Sequence, residues 1–214
     1  MLAEKRVQST DLVASEGSIL PIRTGKTAAT MVADAHAHFY DAVRRGNCYT
    51  TAETAGVILT VAATSAATGL FLWNPPGSGK SLVLLRLMLA LDSLPAAAAG
   101  VVIVGGPQTT VPATTWTFVT SGVNGILPAL MGGANLSVAQ ATKAAQTVAS
   151  TIIQRWVPGG PAAAVTATTN WTPFIQDNID GELIVGPGNI IGVQTVTTAM
   201  TAGVSLTWEE VPVT

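Results

Sequence analysis

Glu182-Leu183-Ile184-Val185-Gly186-Pro187-Gly188-Asn189-Ile190-Ile191-Gly192-Val193-Gln194-Thr195-Val196, followed after a Thr/Ala loop by Val204-Ser205-Leu206-Thr207-Trp208-Glu209-Glu210, is the stretch that decides the fold class. Glu182–Val185, Asn189–Val196 and Val204–Glu210 read as three successive strands, the first two joined by the turn Gly186-Pro187-Gly188. The same grammar continues upstream. Val57, Leu59 and Val61 alternate from Gly56, and Leu70 and Leu72 precede the breaker Asn74-Pro75-Pro76-Gly77-Ser78-Gly79. Ser81–Leu91 is a long apolar run in which Arg86 is the one solvated or paired position. Val101–Val104 stops at Gly105-Gly106-Pro107, Trp116–Val119 is a further short strand, and Ile152–Val157 ends at Pro158-Gly159-Gly160-Pro161. Leu136–Ser150 is rich in Ala and Gln and fits a helix or a loop.

Many short strands with Gly/Pro turns, and no fixed-period repeat, predict an all-β protein: a jelly-roll-like antiparallel β-sandwich. Residues 1–30 carry Gly17, Pro21 and Gly25 with weak apolar periodicity and read as an extended arm. Met31–Arg45, closed by Gly46, reads as a short helix. The expected division is an arm and short helix over 1–55 and the sandwich over 56–214.

Charge narrows the function. The 214 residues hold ten basic and twelve acidic side chains, 10% of the chain, for a net charge of −2. Disorder needs low hydrophobicity and high net charge, and this chain is 48% hydrophobic. Free-standing nucleic-acid binding needs a basic surface that the balance does not supply. A spanning helix needs roughly 20 apolar residues, and the best run, Leu82–Leu91, is broken by Arg86. The N-terminus lacks the apolar core of a signal peptide. The expectation is a soluble protein made in a reducing cytoplasm, with the lone Cys48 a buried small hydrophobe. Twelve of the charges fall within residues 1–53, and Ser93–Thr142 has none. An ordinary monomer keeps a charged, solvated surface, so such a stretch points to faces that meet other protein.

Three motifs invite chemistry. Gly77-Ser78-Gly79-Lys80-Ser81 resembles the end of a phosphate-binding loop, whose amides cradle phosphate while its Lys and Ser meet phosphate and metal. The motif needs Gly where Asn74 stands, and Pro75 and Pro76 remove two amides. A turn is the better reading, and Lys80→Ala should cost only a surface-charge effect of about 0–1 kcal/mol. Asp34-Ala35-His36-Ala37-His38 spells a metal-binding pattern of amidohydrolases, but those need a barrel of roughly 250 residues and further His ligands. Cys48 has no His nearby in sequence, and no Ser sits in a G-x-S-x-G context. The five Trp residues fall in or beside strands, as core or interface residues. No catalytic, cofactor-binding or metal residue is therefore assigned, and no cofactor is expected.

Three stretches together resemble virion proteins of tailed bacteriophages: Pro21-Ile22-Arg23-Thr24-Gly25-Lys26 with Ala33-Asp34-Ala35-His36; Gly69-Leu70-Phe71-Leu72-Trp73-Asn74-Pro75-Pro76-Gly77-Ser78-Gly79-Lys80; and Asp180–Gly188 with Ser205–Pro212. The resemblance implies a non-enzymatic β-sandwich of the particle, of the type that decorates or cements capsids. It also implies a homotrimer whose partner is the major capsid protein or another virion protein, with neither nucleic acid nor membrane as partner, located in the virion. Head-fibre and tail-associated adaptors use similar sandwiches. Two readings of other classes are a nucleotide-binding enzyme built on Gly77–Ser81 and a carbohydrate-binding sandwich that uses exposed Trp.

Overall fold

The computed structural model describes residues 39–52, 56–60, 68–92, 95, 97, 99–110, 125–143, 152–159 and 174–213. The arm at 1–30, His36, His38, Trp116–Val119 and Trp171 lie outside them. Among the described residues, one short helix, α1 (Tyr40–Arg44), precedes twelve strands: β1 (Cys48–Ala52), β2 (Val57–Leu59), β3 (Leu70–Asn74), β4 (Lys80–Leu91), β5 (Val101–Pro107), β6 (Leu127–Pro128), β7 (Gln140–Thr142), β8 (Ile152–Val157), β9 (Phe174–Asn178), β10 (Ile184–Val185), β11 (Asn189–Thr195) and β12 (Met200–Pro212). They form two antiparallel sheets. The first runs β10-β4-β12-β1-β6, with β9 also on β4 and β2 also on β12; the second runs β7-β3-β11-β5-β8. The expected all-β sandwich is what the chain forms.

The core lies between the sheets. Leu82, Leu84, Leu87 and Leu89 of β4 and Val204, Leu206 and Trp208 of β12 meet Leu70, Leu72, Val101, Ile103 and Val193 of the second sheet. Tyr49 stacks on Trp208 with ring centroids 6.2 Å apart. Along β12, buried residues from Met200 to Glu210 alternate with half-exposed Thr201, Gly203, Ser205, Thr207 and Glu209, as one covered face requires. The second sheet differs. All five residues of β3 and Val101–Val104 of β5 are buried, so both of its faces are covered. Phe71 and Trp73 pack with Ile190 on its far face. Gly192 permits this, since a Cβ there would lie 2.4 Å from the Phe71 ring.

Two details differ from the sequence reading. Cys48–Ala52 is already a strand, paired with β12 from Cys48↔Glu209 to Ala52↔Ser205, so the sheet takes in residues before Gly56. The long β4 run is also not a plain strand, because the register against β12 slips between Leu84 and Arg86. Leu85 is the extra residue of this bulge, and its carbonyl accepts the N–H groups of Ile179 and Asp180 at 2.9 and 3.0 Å. The segment between β9 and β10 is thereby fastened to the bulge, with Asp180 (φ 47°) and Gly181 (φ 87°) making its left-handed bend.

Candidate functional site

The loop that resembles a phosphate cradle is a corner between the sheets. Asn74 ends β3 fully buried, and its Nδ2 donates to the carbonyls of Lys80 and Val185, both at 2.8 Å. Its own carbonyl accepts the Gly188 N–H at 2.8 Å, and Gly188 in turn accepts from Gln108 N–H at 2.7 Å. The two Gly/Pro turns that stand out in the sequence are thus bound to one side chain. Gly77 (φ 75°) and Gly79 (φ 69°) supply the left-handed residues of the first turn.

The Lys80 ammonium donates to Glu210 Oε2 at 2.9 Å. The buried Glu210 carboxylate also accepts from Ser137 Oγ at 2.6 Å and Val138 N–H at 2.9 Å. The Ser78 N–H is held by the Pro75 carbonyl. The lysine and an amide that would meet phosphate are engaged within the fold. This corrects the expectation that Lys80 is a plain surface charge, because it faces a buried carboxylate.

A second charged group ties the sheets along one edge. Arg155 of β8 donates through Nε to Asp177 Oδ2 at 2.8 Å and through a terminal nitrogen to Oδ1 at 3.0 Å, and it also pairs with Glu182. Asp177 points inward from β9 and is buried. These carboxylates raise the guanidinium pKa further, the Asp177 hydrogen bond most of all. Cys48 is buried as expected, beside Phe39 and Val43 of the α1 region. Burial, and then the Glu209 charge, push its thiol from 9.0 to about 11, so it is a poor nucleophile at neutral pH. Among the described residues no group of three or more His, Cys, Asp or Glu is placed to hold a metal. Trp73 and Trp208 are buried as core residues, whereas Trp156 on β8 is 59% exposed.

The remaining feature is a run of uncharged rows on one face, bounded by exposed Arg86 opposite Thr207 at one end and by exposed Asp92 beside Thr201 at the other. The outer side of the first sheet carries the cross-strand row Ala52, Ser205, Met88, Gln176 and the next row Gly203, Ala90, Phe174, with Ile58 opposite Thr201 beyond. Ile58 and Phe174 are 57% and 55% exposed, and none of these side chains is charged. The loop after β6, from the uncharged stretch, exposes Leu130, Met131 and Leu136. Sequence reading placed the neutral surface in Ser93–Thr142. It did not find the outer face of the first sheet, for which Gly203 in the middle of β12 was the available signal. Compared with known protein families, characterised proteins and solved structures, the chain matches none. Among the described residues, no helix is long and apolar enough to cross a membrane.

Proposed function

We propose that the chain is a non-enzymatic structural protein of a phage particle: a jelly-roll sandwich that assembles as a homotrimer and docks on the capsid, bridging its subunits. The observation that carries this reading is the pair of uncharged rows Ala52–Ser205–Met88–Gln176 and Gly203–Ala90–Phe174 on the outer face of the first sheet, together with the apolar loop after β6. Such surfaces can be desolvated without stripping water from ions, which suits contacts made repeatedly by symmetry. Strand order supports the jelly roll. With β1 and β2 sharing one position beside β12, and β9 and β10 one beside β4, the first sheet interleaves with β3, β11, β5 and β8 of the second. That interleaving of two Greek keys is the layout common in capsid proteins.

Light scattering of the purified chain at micromolar concentration should give a trimer, and the trimer should co-sediment with particles stripped of this protein. A monomer that leaves such particles bare refutes the proposal. A glycan-binding sandwich is the second reading, favoured by the exposed Trp156. Its test is a glycan titration of the isolated chain, with loss of binding in Trp156→Ala.

A further inference from the structure

We infer that helix α1 is a hinged cover, opening about Gly46 while the two sheets stay folded. The inference rests on the fold and not on the proposed assembly. Beneath α1 lies a recess of about 130 Å³, with Phe39 and Val43 on the cover side and Cys48, Leu85, Arg86 and Thr207 on the sheet side. A void of that size forfeits contacts that would otherwise hold the cover to its floor. None of the five residues of α1 is fully buried, whereas Cys48 and Leu85 beneath it are.

The bonding divides at Gly46. A helix of five residues does not hold itself against water, so α1 depends on that loose packing. Phe39 at its N-cap supplies no side-chain acceptor for the first amides. Val43 N–H bonds Phe39 O and Arg45 N–H bonds Asp41 O, both at 3.0 Å and both inside the cover. Firm attachment to the sandwich begins at the glycine. Gly46 O accepts from Asn135 Nδ2 at 3.2 Å, Asn47 O from the Glu210 N–H at 2.8 Å, and Cys48 O from the Ala129 N–H at 2.9 Å. The bond from Asn47 N–H to Ala42 O, at 3.1 Å, crosses the hinge.

Gly46 suits a hinge. It is left-handed in the closed form (φ 72°), and without a side chain it reaches other conformations at little cost. Local openings draw on elements with few buried contacts and lie below global unfolding in free energy. The chain that leads into the sandwich is thereby redirected while β1 stays paired with β12 from Cys48 to Ala52.

The test uses Cys48, the one cysteine of the chain, as a reporter. Its thiol is buried under the cover and is a poor nucleophile there, so reaction with a disulfide reagent reads the open form. Labelling of the full chain is followed at neutral pH over a urea series below the unfolding transition, where the rate is proportional to reagent. The expected rate is well above that set by global unfolding and nearly independent of urea, since the opening exposes little surface. Val43→Ser should raise it about tenfold. Ile103→Val, in the core between the sheets, should lower the urea midpoint yet leave labelling unchanged, because the open form keeps that core. Labelling that rises with urea as steeply as unfolding, or that speeds up in Ile103→Val, overturns the inference. So does a rate that Val43→Ser leaves unchanged.

Discussion

Asn74 holds two turns together with one amide, and its loss is local and measurable. Asn74→Ala removes the Nδ2 donor from the carbonyls of Lys80 and Val185, the former keeping the longer bond from Ser78 Oγ at 3.2 Å. The expected cost is about 2–4 kcal/mol, read from urea unfolding. Lys80→Ala removes the cation from Glu210, which keeps Ser137 and Val138 as donors. Breaking a buried pair costs about 3–5 kcal/mol, but water reaches the half-buried Lys80, so about 1–3 kcal/mol is expected here. The same variant should leave calorimetric titration with ATP and Mg²⁺ as flat as in the wild type. Cys48 gives a pH signature. Its folded thiol pKa of about 11 exceeds the reference 9.0, so the folded state holds more protons between those values. Stability therefore falls as pH rises from about 9 towards 11, by up to roughly 1.4 kcal/mol per pH unit. Tyr49, also raised by burial, adds a fall of the same sign. Cys48→Ala should flatten the Cys48 part in denaturant titrations at stepped pH.

At the scale of elements, β8 and β9 are joined by Arg155 and Asp177 across the open edge of the sandwich. Arg155→Met strands a buried carboxylate and is expected to cost about 2–4 kcal/mol, whereas adding Asp177→Leu should recover most of the loss. A double-mutant cycle by chemical denaturation checks both. This pair also explains why β9 was not legible in the sequence. Phe174-Ile175-Gln176-Asp177-Asn178 puts a carboxylate where an apolar inward residue is expected, and its partner lies on another strand. Cys48–Ala52 was missed because only Tyr49 of its inward residues is large, Thr51 being held instead by the Gly125 carbonyl. The runs Leu70–Trp73 and Val101–Val104 were legible for the opposite reason, as strands covered on both faces show unbroken apolar sequence. The polar corner was half legible. The Gly/Pro turns were visible, but spacing could not show that Asn74 binds both or that Lys80 faces Glu210.

For the whole molecule, contact with other subunits is proposed to fall to the uncharged rows on the outer face of the first sheet and to the arm. The arm at 1–30, with its seven charges and irregular apolar spacing, is proposed to reach a neighbouring subunit or the particle surface. Deleting residues 2–20 should leave the thermal midpoint of the isolated protein unchanged while lowering occupancy on purified particles. Unfolding on deletion would place the arm in the core. Capsid cement, head fibre and tail adaptor would all use such a sandwich, and they differ in where it sits. A density map of the whole particle that carries this chain separates them. The account predicts threefold groups of sandwiches on the outer capsid surface, each touching more than one capsid subunit. Density for this chain confined to a fibre or the tail, or absent from the particle, would contradict it.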